Sequence, residues 1–343
     1  MDLPMMLAGR GLGRIIALRL MRLGLLLLAA AAAAFALMKL SPVDPVDAYL
    51  GPAIARLGPE QKALIAAAWG LDQPVLTQFT RWLTRILSGD AGWSTAYGAP
   101  VRTVLAERIL PSLLLTLPAW LLSGVLGFGL GIAAGIREGS LPDRIIRIYA
   151  YVTASAPTFW VALLALTLFS VNLGWTPLCC SGPIGALPQE VTWVQRLHHL
   201  ILPLAVLSLL GIAQIALHTR AKVAELMKAD HVLFALAQGA RPGDIARRSI
   251  ARNAALPALT IFFASIGEIL GGAVLAEQVF AYPGLGRATV EAAMKGDVPL
   301  LLAITLLATL VVSTGNMLAD ILYRIVDPRM RGPAPVLREA SEG

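Results

Sequence analysis

"ALAQGARPGDIARRSIARNAALPALT" runs from Ala235 to Thr260, between two long apolar stretches. It carries Gly239, Pro242 and four arginines (Arg241, Arg247, Arg248 and Arg252) before apolar sequence resumes at Leu256-Pro257. Upstream, "AKVAELMKADHVLFALAQG" continues a helix past His218-Thr219-Arg220, with Val223, Leu226, Met227, Leu233 and Leu236 available for packing. Gly239 is a good helix stop. "RPGD" reads as a turn, and Asp244 as the N-cap of a second, basic helix. Pro257 then falls at the edge of the next apolar run. About 34 residues stand here, where a plain connection between helices takes about 2–8. A segment of that length without a core of its own fits docking into another protein. The alternative is a basic loop resting on anionic lipid.

The surroundings decide the class. The chain has 343 residues, 57% hydrophobic and 14% charged, with a mean hydropathy of +0.71. Soluble domains carry about 25% charged residues, so this is a polytopic, all-α membrane protein. Six segments are long and apolar enough to cross about 30 Å of hydrocarbon: residues 15–39, 113–136, 148–171, 200–219, 256–277 and 300–323. With the N-terminus inside, the inner segments hold 18 Lys and Arg and the outer ones hold 9. The excess belongs on the cytoplasmic side, so both termini and the quoted stretch are placed there. The same rule accounts for the net charge of +7 without nucleic acid.

The run Leu23–Leu37 follows Arg10, Arg14, Arg19 and Arg22. It is too long for a signal peptide core and reads as a retained first span. Residues 41–112 are too long for a mere connector. They open with "SPVDPVDAYLGP" and continue with apolar residues at helical spacing: Leu64, Ile65, Ala68 and Trp69, then Leu76, Phe79, Trp82, Leu83 and Ile86. Short amphipathic helices on the outer face are expected. "FAYPGLGRATVEAAMKGD" (Phe280–Asp297) holds a turn at Pro283-Gly284 and a short helix over Gly286–Met294. Cys179 and Cys180 are adjacent. They read as a loop pair without a disulfide, because a ring between neighbours is strained. His198, His199, His218 and His231 lack the spacing of a metal site.

Set against known families, the quoted stretch resembles the ATPase-coupling loop, or "EAA" motif, of ATP-binding-cassette importer permeases. The gap of eighteen residues from Gly239 to Pro257 resembles the dipeptide, oligopeptide and nickel branch, with "ALAQG" standing where that branch has a sequence like A-R-A-K-G. The likeness extends through "SPVDPVDAYLG", "WGLDQPVLTQFTRWLTRILSGDAGWS", "SAPTFWVALLAL", "GEILGGAVLAEQVFAYPGLGR" and "NMLADILYRIVDPRMR". These resemble, in order, the branch's G-D-P start, its L-G-L-D-x-P stretch with a G-D-x-G-x-S turn, its S-x-P-x-F-W span, its G-G-x-x-x-x-E-x-x-F-x-x-P-G-L-G-R loop and its C-terminal D-P-R-x-R.

The resemblance implies a type I ABC importer permease fold of six transmembrane helices, with an outer amphipathic segment between spans one and two. The organisation would be 1–40 (cytoplasmic N-terminus and first span), 41–112 (extracytoplasmic), 113–327 (five-helix core with coupling loop 220–256) and 328–343 (cytoplasmic tail). It implies half of a translocation pathway in a bacterial or archaeal inner membrane. The partners would be a second, homologous permease in a heterodimer, two cytoplasmic ATPases and an extracytoplasmic solute-binding protein. The cargo would be small peptides or a nickel or metal chelate. The chain has no phosphate loop and no HExxH, so no catalytic site, resident cofactor or metal is expected.

The coupling residues would be Ala237, Gly239, Arg241, Asp244, Arg247, Arg248, Asn253 and Pro257. Glu268, with Gly271 and Gly272, would line the pathway, because a carboxylate within a span is a functional-site hypothesis by default. A salt bridge from Glu268 to an arginine of the partner permease is the equal alternative. Gly267, Gly271 and Gly272 also permit close helix approach. Asn316 and Asp320, four residues apart on span six, share a face and suit bundle packing. Rival classes are a secondary transporter working without an ATPase, which calls for inverted repeats, and a membrane-embedded enzyme, which calls for a paired nucleophile and base.

Overall fold

The computed structural model describes the backbone of residues 3–40, 58–68, 70, 72–187, 189–245 and 250–326. The proline-rich start of the 41–112 segment, Trp69, Arg247, Arg248 and the tail from residue 327 lie outside the described residues, as does the side chain of Asp320. The elements are α1 (Leu3–Leu40), α2 (Pro59–Ala68), α3 (Val75–Leu87), β1 (Trp93–Ser94), β2 (Ala99–Pro100), α4 (Val101–Ile136), α5 (Leu141–Ser155), α6 (Thr158–Ala165, continued by a π-helical Leu166–Asn172), α7 (Trp193–Met227), α8 (Asp230–Ala237), α9 (Pro242–Ile245), α10 (Ala251–Ala264), α11 (Ile266–Val279), α12 (Leu285–Lys295) and α13 (Val298–Val326). β1 and β2 form a two-stranded antiparallel hairpin, with Trp93 opposite Pro100 and Ser94 opposite Ala99.

Among the described residues, four helical stretches are long and apolar enough to cross a membrane: Ala17–Ala36, Val101–Ile136, Trp193–Met227 and Val298–Ala319. Two bent pairs bring the number to six when each counts as one span. The expected third span is one of them. α5 and α6 meet at 108°. The cause is Pro157, which caps α6: proline lacks an N–H and pushes the preceding residue out of the helical region. Each limb has 15 residues, or about 22 Å, short of a full crossing. The fifth span bends by 45° between α10 and α11. The helix that carries the second span starts at Val101, so the 41–112 boundary falls inside α4.

The chain divides into two compact units. One takes Met1–Leu121, Ser155–Leu210 and Gly267–Thr314. Its first core gathers Leu115, Ala162, Leu202, Val206, Ala273, Ala276 and Phe280; its second gathers Val101, Val104, Ala288, Ala292 and Leu300. In this unit α3 lies against α1 through Phe79 and Trp82, whose rings sit 5.4 and 5.6 Å from that of Phe35. Phe79, Trp82, Leu83 and Ile86 are half-buried along one face, whereas Leu64 and Leu76 are exposed. An expected amphipathic helix is therefore present at α3, with Leu76 off its inward face.

The other unit takes Leu122–Ala154, Gly211–Ile266 and Gly315–Gly343. Here α4 and α7 approach closely along a glycine seam. A Cβ at Gly127, Gly131 or Gly135 would stand 2.8, 2.5 or 2.6 Å from the Cβ of Ile215, Thr219 or Val223. These three glycines recur every fourth residue, so they share one face. The glycines singled out from sequence do not play this part. Gly271 has nothing within 4 Å, Gly267 only Val312 at 3.8 Å, and Gly272 nothing nearer than Leu207 at 3.5 Å.

Filling the seam forces the helices apart. Gly131→Val is expected to lower stability by about 1–3 kcal/mol. Gly129→Ala, at a site with nothing within 4 Å, is expected to change it little. Thermal denaturation of the two variants in detergent separates these outcomes.

Candidate docking loop and translocation face

α7 ends at Met227, and α8 follows after Lys228-Ala229. α8 closes in a Schellman arrangement: the Gly239 N–H donates to Leu236 O at 2.9 Å and the Ala240 N–H to Ala235 O at 3.1 Å. This geometry requires a left-handed residue, and Gly239 supplies it with φ of +87°. A side chain there would meet open space, so the constraint is conformational.

The next four residues correct one expectation. "RPGD" is not a free turn, and Asp244 is not an N-cap. The N–H groups of Asp244 and Ile245 both donate to Arg241 O, at 3.0 and 3.2 Å. Arg241 thus caps α9, and Pro242 takes the first helical position, where its missing N–H costs nothing. Asp244 falls in the first turn, where a carboxylate complements the helix dipole. Pro257, at the start of the apolar run, lies within α10.

The loop also has a core, contrary to expectation. Val232, Ile245, Ile250 and Ala254 are buried with Val223, against Phe128, Ile132 and Ile136 of α4 and Leu226 and Met227 of α7. On α8, Val232 is buried and Ala235 and Leu236 pack against the same core, whereas Leu233 faces away. Leu233 and Phe234 are 50% and 65% exposed. Beside them Ala237, Gly239, Arg241 and Asp244 are exposed, as are Arg252 and Asn253 further on. The result is an apolar and basic surface carried on a packed base.

On α11, Glu268, Gly271, Leu275 and Gln278 are exposed at i, i+3, i+7 and i+10, so they form one stripe. Gly272 lies off that stripe, packed toward Leu207 and Thr158. Asn316 is exposed and makes no side-chain hydrogen bond among the described residues.

The reading of Glu268 missed a second acid. Glu277, on the opposite side of α11, is 1% exposed. The Ser112 hydroxyl donates to its Oε1 at 2.5 Å and the Arg287 N–H to its Oε2 at 3.1 Å. The Leu285 N–H donates in turn to Ser112 Oγ at 2.7 Å. Glu277 and Ser112 therefore cap α12 from other elements, since Gly284 has no side chain to do so. A Cβ at Gly284 would lie 2.2 Å from the Glu277 carboxylate. The spacing from Glu277 to Pro283-Gly284-Leu285-Gly286-Arg287 is the geometry of this cap.

α12 is also fastened to the β1–β2 hairpin. Asp297, fully buried, accepts from Ser94 Oγ and the Ala96 N–H at 2.5 and 3.0 Å. The Tyr97 hydroxyl donates to Glu291 at 2.6 Å, and Arg287 donates to the same carboxylate at 2.8 Å. Burial and this bond push the Tyr97 phenol up to about 12. Burial alone would raise Glu291, yet the bonds from Tyr97 and Arg287 hold it below the usual carboxylate range. Nearby, the Cys180 N–H donates to Phe280 O at 2.9 Å, and His199 Nδ1 lies 2.8 Å from Cys179 O. Cys179 and Cys180 form a disulfide, which corrects the unpaired reading. Cys180 takes a φ of +76°, which the eight-membered ring accommodates.

Residues 127–332 match the family described as binding-protein-dependent transport system inner membrane component, and residues 12–101 match its N-terminal companion. The chain belongs to this family. It is a transmembrane permease of a binding-protein-dependent ABC importer, and its described residues are mostly helical. Such permeases work with ATPases and a substrate-binding protein. The membership sets aside the secondary-transporter alternative. The chain is 34% identical over 306 residues to the oligopeptide transport system permease AppB of Bacillus subtilis, covering 89% of this chain and 95% of that one. It is 33% identical over 331 residues to the di/tripeptide permease DppB of Pseudomonas aeruginosa, covering 90% and 97%. Among solved structures it is similar to the inward-facing MetNI methionine ABC transporter, with a TM-score of 0.47 and 17% identity over 65% of this chain and 96% of that one.

Glu277→Ala leaves buried donors of Ser112 and Arg287 without an acceptor. Each unpaired group costs about 1–3 kcal/mol. The variant is expected to unfold at a lower temperature and to be cut faster by protease within 280–297. Unchanged stability and cleavage would contradict the cap.

Proposed function

We propose that this chain is one half of a small-peptide importer, paired with a second, homologous permease, and that its 220–256 loop docks a cytoplasmic ATPase. The observation that carries the docking is the exposed pair Leu233–Phe234 beside the Schellman stop at Gly239, held on a buried base of Val232, Ile245 and Ile250. Exposed apolar side chains rimmed by arginine are the composition of an interface centre. Ala237, Gly239, Arg241, Asp244, Asn253 and, from the sequence, Arg247 and Arg248 make up its border. The excess of Lys and Arg on that side of the chain supports a cytoplasmic loop and cytoplasmic termini. A second ATPase engages the partner permease in the same way.

The relatives named as oligopeptide and di/tripeptide permeases support peptide cargo. Glu268, Gly271 and Gln278 face the pathway, where the carboxylate meets the cationic amine of a peptide. Gly272 supports that helix from behind. Asn316 and Asp320 contribute to packing against neighbouring spans. ATP-driven closure of the ATPase pair moves the two loops and, through packed helices, opens the pathway to the solute-binding protein. Hydrolysis resets it. Rigidity matters because a loop that yields cannot transmit displacement.

Phe234→Ala and Arg247→Glu are expected to lower peptide uptake at least tenfold, and Gly239→Pro to abolish it, with all three chains inserted in the membrane at normal levels. Uptake assays in cells with quantified membrane protein read this directly. Normal uptake by Gly239→Pro would sink the docking assignment.

A further inference from the structure

In the unit formed by Leu122–Ala154, Gly211–Ile266 and Gly315–Gly343, one ion cluster stands apart from the apolar core. Asp143, in the first turn of α5, is fully buried. Arg220, on α7, grips it with two bonds: Nε to Oδ1 at 2.9 Å and Nη2 to Oδ2 at 3.0 Å. The Gly139 N–H adds a third bond to Oδ2 at 2.9 Å, and Arg147 approaches the same oxygen at 3.5 Å. The cluster continues outward. Arg220 Nη2 reaches Glu138 at 3.4 Å, and Glu138 also receives Lys228 Nζ at 2.7 Å. Lys228 is the residue that follows α7 and precedes α8, at the root of the docking surface.

The core beneath the loop takes its residues from α4, α7 and the loop itself, and none from Leu141–Ser155. α5 is thus joined to the loop's base by charge, where α4 and α7 are joined by apolar packing. A two-pronged guanidinium–carboxylate pair fixes one relative geometry more tightly than sliding apolar surfaces do. Such a pair forces the start of α5 to follow the end of α7.

We propose that Asp143 and Arg220 are positioning residues for transport: a clamp that carries movement of the docking loop into α5. This rests on the ATPase-docking reading above. A clamp of this kind sets how many peptides cross per ATP hydrolysed, while the ATPases still bind Leu233–Asp244 and still turn over.

The test uses the complete complex with its binding protein in proteoliposomes, measuring peptide imported and ATP hydrolysed together. Asp143→Asn alone strands a buried arginine, so the informative variants are Arg220→Lys, which keeps the charge but loses the fork, and Asp143→Asn with Arg220→Gln, which removes both charges. Both are expected to retain the ATPase subunits and ATP hydrolysis. The double variant is expected to import about tenfold fewer peptides per ATP, and Arg220→Lys about threefold fewer. A wild-type ratio in either variant would overturn the clamp. Should the double variant fail to assemble, Arg220→Lys decides alone. A wild-type chain that carries no ATPase at all fails the docking reading instead, and does so before any variant is made.

Discussion

A carboxylate buried among apolar helices is held in place by donors to both of its oxygens. Three acids meet that demand here, each where separate elements join. Asp143 draws in Gly139 and Arg220. Glu277 draws in Ser112 and Arg287. Asp297 draws in Ser94, Ala96 and Leu300. The demand is strong because a lost partner leaves a charge out of water. It is also specific. In a chain that is 57% hydrophobic, lipid tails compete on equal terms with any apolar side chain, so grease alone does not say which helix lies against which. The acids supply that information, and the Gly127–Gly131–Gly135 seam adds close approach where no acid is present.

Hydropathy made the long helices legible. The first, second, fourth and sixth apolar runs each correspond to a helix, because length and apolar composition are local properties. The stop at Gly239 was legible for the same reason. What escaped depends on partners distant in sequence. Glu277 lay in plain view within "LAEQVFAYPGLGR", but its need for Ser112 appears only when a residue 165 positions away is brought beside it. Glu268 drew attention first because it stands in an apolar run, yet it is the exposed one of the two. The glycine seam has the same character. Spacing of four occurs throughout a membrane helix, and only the opposing Ile215, Thr219 and Val223 give it meaning. The bend at Pro157 was readable in principle. A continuous hydropathy signal across 148–171 masked a local backbone break.

The docking loop shows how the two kinds of information combine. Its end is set locally, by a left-handed glycine and by Pro242 seated at the start of α9. Its stiffness comes from distant residues: Phe128, Ile132 and Ile136 beneath it, and the ion cluster through Glu138 and Lys228 beside it. In the docking proposed above, a surface of Leu233 and Phe234 on such a base would be pushed without yielding.

The central claim is that this surface holds an ATPase. Purification from the native membrane in mild detergent, followed by mass spectrometry of the associated chains, addresses it most directly. The account predicts ATPase subunits and a second permease of similar length, with the ATPase lost from Phe234→Ala and the second permease retained. A chain that purifies alone or as a homodimer, with no ATPase at any detergent mildness, would contradict it.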